Sequence, residues 1–212
     1  MKLNIIHKKN LNIKKQLELE ENLLKKSDEN FCFINEGTEN AIVLGVSNKE
    51  KELIDLDKTK KDKIEIIRRF SGGGTVFVDK DTLFISFIFS KKSLKFSYPE
   101  EIFRWVYSFY KKVFKKDNFY LNENDFTFDD KKCCGNAQYI KKDRWLHHSS
   151  FLWDFKKQNM DYLHLPKKAP KYRENRSHSE FLIPLKKSFK SKDDFINRIK
   201  KALAEEFILS YL

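Results

Sequence analysis

Apolar residues at Ile13, Leu17, Leu19, Leu23 and Leu24 recur at near-helical spacing among Lys, Glu and Asn. At 3.6 residues per turn they predict an amphipathic helix of about four turns, ending near Ser27-Asp28. Two short β-prone runs follow, Phe31 to Asn35 and Ala41 to Val46, and the intervening Glu36-Gly37-Thr38 predicts a hairpin between them. Lys49 to Lys63 is too charged for a core element and predicts a short surface helix leading into a strand at Ile64-Glu65-Ile66-Ile67. Val76-Phe77-Val78 and Leu83 to Phe89 flank Asp79-Lys80-Asp81, a polar trio suited to a tight turn between antiparallel strands. Pro99 marks a helix start, and Ile102, Phe103, Val106, Tyr107, Tyr110, Val113 and Phe114 supply the apolar stripe of a central helix.

Beyond that helix, Phe119 to Leu121, Phe126 to Phe128 and Ala137 to Trp153 are again strand-like, with Asp143-Arg144 turning the chain between Gln138-Tyr139-Ile140 and Trp145-Leu146-His147-His148. Leu165 to Ser179 is polar, proline-bearing and long for a loop, as expected of a functional segment or one that orders on binding. A closing helix is predicted from about Lys192, on Phe195, Ile199, Leu203, Phe207, Ile208 and Leu212. Together these elements predict an α+β fold, a mixed and mostly antiparallel sheet packed with helices. With no internal repeat or low-complexity linker, residues 1–212 read as one domain.

Composition narrows the class. Twenty Phe and eight Tyr among 40% apolar residues exclude a disordered chain, while 35% charged residues give a heavily ionic surface. No stretch approaches the roughly 18 uninterrupted apolar residues of a membrane span, and Met1-Lys2-Leu3-Asn4 leads into a lysine-rich segment with no signal-peptide core. The expected address is the cytoplasm, with no membrane partner. Cys32, Cys133 and Cys134 are odd in number and lack zinc-knuckle or CxxC spacing, so reduced thiols are expected. A net charge of +12 attracts polyanions, but the lysines are scattered among acids and form no single block.

The densest chemical signal is Arg68-Arg69-Phe70-Ser71-Gly72-Gly73-Gly74-Thr75-Val76, which places three of the chain's six glycines between apolar runs. Residues without Cβ permit φ > 0 and close approach of another group, and successive backbone N–H groups in such a turn can cradle an anion. The two arginines add forked donors suited to phosphate or carboxylate. A strand follows the loop, which excludes the P-loop and the GxGxxG dinucleotide fingerprint, since both open into a helix.

Four segments in this order resemble the lipoate-protein ligase A family, whose catalytic domains are related to those of biotin ligases and octanoyltransferases. They are Ala41-Ile42-Val43-Leu44-Gly45, the glycine loop through Asp79, Asn124-Asp125 followed by Asp129 to Gln138, and Arg144-Trp145-Leu146-His147-His148-Ser149-Ser150. The match spans roughly residues 10 to 185, with Tyr172-Arg173 and Arg176-Ser177-His178 similar to a compact ligase-like subgroup. Two departures stand out: Val78 where family members commonly carry His, and Val46 where many carry Arg. The larger ligases also have a C-terminal accessory domain, for which this chain has no room, so the expectation is either a separate accessory chain or a protein that performs only part of the reaction.

The resemblance implies a biotin/lipoate ligase-like catalytic domain that activates lipoate or octanoate with ATP and Mg²⁺ to the acyl adenylate, then passes the acyl group to a lysine of an acceptor. It assigns the catalytic role to Lys132, with Lys131 as its solvated neighbour. Substrate and acyl-adenylate binding fall to Arg69, Ser71, Gly72, Gly73, Gly74, Thr75, Gly135, Asn136, Ala137 and His148. Asn124 and Asp125 are placed beside the nucleotide, with Asp125 as a metal ligand. His147 and His148 alternate faces on a strand, so at most one faces the pocket, and a structural role suits both. Arg68 either joins Arg69 or pairs with a surface acid. The implied partner is an acidic lipoyl-acceptor domain or a glycine-cleavage H-like protein, toward which the positive surface would speed encounter.

Other readings stay open. Cys134 beside Lys132 would suit an ATP-independent octanoyl or lipoyl transferase. A non-catalytic relative that binds a lipoyl-bearing protein is another. A nucleic-acid-binding module is disfavoured, because no RNP signature, KH GXXG loop or zinc pattern appears.

Overall fold

A computed structural model describes residues 1–166 and 168–212; Lys167, within the proline-bearing segment, lies outside the described residues. The elements in chain order are β1 (Lys2–Lys9), α1 (Ile13–Lys26), β2 (Phe31–Glu36), β3 (Ala41–Leu44), α2 (Glu50–Leu53), α3 (Leu56–Lys61), β4 (Glu65–Arg68), β5 (Val76–Val78) and β6 (Thr82–Ser90). They continue with α4 (Pro99–Phe114), β7 (Phe119–Asn122), β8 (Asp125–Phe128), β9 (Lys131–Lys132), β10 (Cys134–Ile140), β11 (Arg144–Leu152), α5 (Lys157–Met160), a 3₁₀ turn (Lys171–Arg173), α6 (His178–Phe181), a second 3₁₀ turn (Leu185–Lys187), α7 (Lys192–Ala204) and β12 (Ile208–Tyr211).

The expected α+β class holds. A six-stranded sheet runs β10-β11-β6-β2-β1-β12, antiparallel from β10 through β2 and parallel across β2, β1 and β12. Two three-stranded sheets accompany it, β4-β3-β5 with one parallel and one antiparallel pair, and the antiparallel β7-β8-β9. Period-two alternation in β6 sends Leu83, Ile85, Phe87 and Phe89 into the main core with α4 and α7, and Phe84 and Ile88 toward α1 on the other face. The sheet is thus covered on both sides, and its central strands are apolar throughout.

Local chemistry sets the helix ends. Asn12 Oδ1 accepts the backbone N–H groups of Lys14 and Lys15 at 3.0 and 3.4 Å to start α1. Pro99 occupies the first turn of α4, where Glu101 accepts N–H groups from Ser97 and Tyr98, and Lys115 closes the helix at φ 52. Among the described residues no helix is long and apolar enough to cross a membrane.

Four local expectations are corrected. The run 31–46 is not a hairpin: β2 lies between β1 and β6, while β3 belongs to the β4-β3-β5 sheet, because all six β2 residues are buried and need neighbours on both edges. The turn after β5 forms, with Thr82 N–H on Asp79 O at 3.1 Å, but carries the chain from one sheet to another. The charged stretch 49–63 holds two short helices, since buried Ile54 interrupts it to bridge Leu163. The last helix stops at Ala204, and Ile208–Tyr211 forms β12 against β1, a strand hidden in the lysine-rich N-terminal sequence.

Candidate functional site

The glycine loop links β4 to β5 and is folded back on itself by Arg69. Only 5% exposed, that guanidinium donates from Nη2 to Gly72 O at 2.8 Å and to Gly74 O at 2.7 Å, and from Nε to Gly72 O at 3.2 Å. Burial pulls its pKa down to about 10, which leaves it charged at neutral pH. Asn48 Nδ2 braces the same loop through Gly73 O at 2.9 Å. Gly73 has φ +102, and a Cβ there would meet Arg69 Nη2 at 2.8 Å; around Gly72 and Gly74 a Cβ would meet nothing within 4 Å among the described residues. One glycine therefore makes the bend, and its neighbours leave the wall of a cleft bare.

Behind the loop a buried polar chain runs to α1. Alternation along β11 turns His147 toward the main core and His148 toward α1. The His148 Nδ1–H donates to Glu20 Oε2 at 3.0 Å, so in the neutral ring Nε2 accepts the Ser71 hydroxyl at 3.1 Å. Glu20 is fully buried and also accepts from Ser86 Oγ at 2.6 Å and Gln16 Nε2 at 2.8 Å.

Lys132 enters from β9. The strand pairs with β8, and Ile183 N–H donates to Lys132 O at 2.9 Å, so the backbone is held from two sides. Register leaves Lys131 exposed and turns Lys132 inward, where its Nζ lies 2.6 Å from Asp125 Oδ1. Asp125 Oδ2 accepts the Tyr172 hydroxyl at 2.8 Å. Burial, followed by the Asp125 charge, pushes the Tyr172 phenol well up, so it remains a donor. Gly135 has no room for a side chain, since a Cβ would lie 2.8 Å from Val76 Cγ1 and 2.9 Å from Ser150 Oγ. The Asn136 amide stitches the turn, donating to Asn124 O at 3.2 Å and accepting from Ser149 Oγ at 3.0 Å.

These parts enclose one cleft of about 970 Å³. Gly72 to Thr75, Asn124, Asp125, Lys132, Gly135 and Asn136 line it together with apolar Phe77, Met160, Leu163, Phe181 and Leu182. The arrangement suits a ligand with an anionic head and an apolar tail. The family described as lipoyl protein ligase A/B catalytic domain matches residues 12–208. The chain belongs to this family.

Its relatives agree. A Plasmodium falciparum protein named inactive lipoate–protein ligase 2 is 33% identical over 200 residues, covering 77% of this chain and 51% of its own, so the chain spans about half the length of that curated relative. Among solved structures, a lipoate-protein ligase A bound with ATP superposes with a TM-score of 0.81 at 19% identity, covering 100% of this chain and 88% of the other. A structure of a bi-partite lipoate protein ligase and its E2 lipoyl domain from Thermoplasma acidophilum gives 0.78 at 20% identity, covering 100% and 88%. At these identities the likeness is one of fold.

Within the ligase fold the expected site residues separate into two groups. Nine line the cleft: Gly72, Gly73, Gly74, Thr75, Asn124, Asp125, Lys132, Gly135 and Asn136. Arg69, Ser71, Ala137 and His148 do not; the first directs its donors to loop carbonyls, and Ser71 and His148 form the strut to Glu20. Arg68 pairs with Glu50 at 3.2 Å and with the carbonyls of residues 45, 46 and 48, which resolves it as a brace of the neighbouring loop. Asp125 engages both oxygens with Lys132 and Tyr172. Among the described residues no group of three His, Cys, Asp or Glu could hold a metal ion.

Residue-by-residue reading gave no role to Tyr172, Arg173 and His178, which reach the cleft region from the long polar segment whose length and prolines were the available signal. Burial, then the positive charges of Arg173 and Lys132, lowers the His178 pKa to about 4, so it is neutral at pH 7.

Proposed function

We propose that the chain is the catalytic domain of a lipoate-protein ligase that activates lipoate or octanoate with ATP. An acyl carboxylate oxygen attacks the α-phosphorus, pyrophosphate leaves, and the amine of an acceptor lysine then attacks the acyl carbon to release AMP. The observation that carries this reading is the lysine ammonium of Lys132 in one cleft with the bare glycine wall and an apolar end. Lys132 would stabilise charge developing on the carboxyl and phosphate oxygens. Gly72 and Gly74 would admit the acyl chain against backbone, and Arg69 would hold that wall in shape.

Mg²⁺ is usually held by one or two carboxylates with phosphate oxygens and water, and of the carboxylates lining this cleft Asp125, beside Lys132, would be the one to hold it. Bound there, the metal would neutralise phosphate charge. The ATP-bound ligase structure supports the nucleotide, and the T. acidophilum pairing supports an E2-type lipoyl domain as acceptor. A net charge of +12 favours an acidic acceptor surface. Residues 1–212 act as one domain on this reading, in the cytoplasm.

A cysteine-dependent transferase fits less well. Burial pushes the Cys134 thiol well above its ordinary pKa, and Sγ–H donates to Asn136 Oδ1 at 3.4 Å, so no thiolate is ready to attack. ATP–pyrophosphate exchange with lipoate, octanoate and biotin tests the proposal. Exchange driven by lipoate or octanoate is the expected result; acyl transfer from octanoyl carrier protein without ATP would establish the transferase instead. No exchange with any acid would align the chain with its relative named inactive.

A further inference from the structure

Arg173 is the feature of the cleft that the reaction outlined above leaves unused. Its side chain lines the cleft yet the residue is only 5% exposed. Its Nε donates to Arg176 O at 3.0 Å, and its Cζ lies 4.7 Å from the centre of the Phe181 ring. The Nη2 group is shut from solvent and has no acceptor among the described residues. Leaving a buried donor unpaired costs about 1–3 kcal/mol, and more when the group is charged. Such an orphan needs an explanation.

The surrounding charges supply one. Asp125 is the carboxylate whose charge acts on Arg173, and it is already bound to Lys132 at 2.6 Å and Tyr172 at 2.8 Å. Among the described residues no carboxylate forms an ion pair with Arg173, and His178 beside it is held neutral. The Asp125 charge felt by Arg173 is thus shared with Lys132, and Arg173 stands one residue along the chain from the tyrosine that anchors that carboxylate. The Phe181 ring supports the guanidinium from one side, and Nη2, left without an acceptor among the described residues, is free to exchange its buried position for a contact in the cleft.

We propose that Arg173 is a phosphoryl-binding residue, which receives nucleotide phosphate oxygens on its unpaired edge while Lys132 holds the same anion from the other side. Turning the guanidinium toward the cleft exchanges an orphaned N–H for a charge-assisted bond. This inference rests on the ligase reading and adds to it a second cation for the nucleotide.

The test compares ATP with adenosine, which differ only in phosphate, by calorimetric titration of wild type, Arg173→Met and Arg173→Lys. Wild type should bind ATP more tightly than adenosine. In Arg173→Met, ATP binding should weaken roughly tenfold or more, as expected for losing a charge-assisted hydrogen bond, while adenosine and octanoate binding stay unchanged. Arg173→Lys keeps the charge and the stem but not the fork; it should lose ATP affinity in the same direction, and it carries the comparison if the Met variant does not fold. Equal ATP binding by the variants and wild type would overturn the role of Arg173 and leave the ligase reading intact. Failure of the wild type to bind ATP would overturn both.

Discussion

The ammonium of Lys132 lies 2.6 Å from one oxygen of Asp125, whose other oxygen accepts the hydroxyl of Tyr172. The three residues come from β9, β8 and the returning segment near residue 172, so the lysine is oriented by the neighbouring strand, itself anchored by a segment distant in sequence. Replacing Asp125 by Ala should release Lys132 without removing it. We expect kcat for adenylate formation to fall about 10²-fold, within the range seen when a preorganised electrostatic contact is lost. Tyr172→Phe removes only the outer hydrogen bond, and its loss should be near tenfold. Pyrophosphate-exchange kinetics on both variants check the order; a larger loss for Tyr172→Phe than for Asp125→Ala would contradict it.

The glycine loop gives a prediction that separates conformation from space. Gly73→Ala places a Cβ at φ +102 and within 2.8 Å of the Arg69 guanidinium, whereas a Cβ on Gly74 meets nothing within 4 Å among the described residues. Gly73→Ala should destabilise the protein by more than about 1 kcal/mol, and Gly74→Ala should leave stability nearly unchanged. Thermal melts distinguish them, and equal melting temperatures would show that the loop does not need the left-handed backbone.

The strut from Glu20 through His148 to Ser71 should matter for loop order more than for chemistry. Truncating Glu20 to Ala leaves Ser86, Gln16 and His148 without their buried acceptor, and should cost about 3 kcal/mol or more. His148→Ala should speed amide hydrogen exchange over residues 70–75. Unchanged exchange there would remove His148 from the support of the loop.

Buried histidines set an acid limit on stability. Burial lowers the His147 pKa to about 3 and, with nearby positive charges, that of His178 to about 4, while His7 is also lowered, chiefly by burial. Their unfolded forms titrate near pH 6.5, so between pH 6.5 and 4 the unfolded chain binds more protons than the folded one. The stability associated with these neutral rings is complete above about pH 6.5 and is lost as pH falls through that window. For His147, protonating Nδ1 would set its new N–H against the amide N–H of Gln138 at 3.0 Å. Melting temperature should therefore drop as pH is lowered from 7.5 to 5, and His147→Gln should flatten that slope. A slope unaltered in the variant would exclude His147 as a source.

The local elements were legible where side-chain periodicity matches one buried face. The stripe from Ile102 to Phe114 and the cap at Asn12 are examples, because each depends on residues a few positions apart. Sheet order was not legible, since β2 reads equally well as half of a hairpin or as a central strand until β1 and β6 are placed beside it. The same holds for β12, whose apolar residues continue a helical pattern and become a strand only because the β1 edge is available.

In the site, the glycine loop, Lys132 and the Gly135-Asn136 turn were readable as contiguous motifs. Direction was harder to read: Arg69 carries the donors expected of an anion ligand but satisfies loop carbonyls, and one step along β11 turns His148 away from the cleft. The orphaned Nη2 of Arg173 was beyond reach, because a donor without an acceptor among the described residues is revealed only by packing.

The most direct test of the central claim is lipoate-dependent ATP–pyrophosphate exchange by wild type and Lys132→Ala, each checked by thermal melting. The account predicts exchange in the wild type and a loss of at least about 10²-fold in a folded variant, as removal of the central charge from the cleft requires. Equal exchange by the two proteins would contradict it.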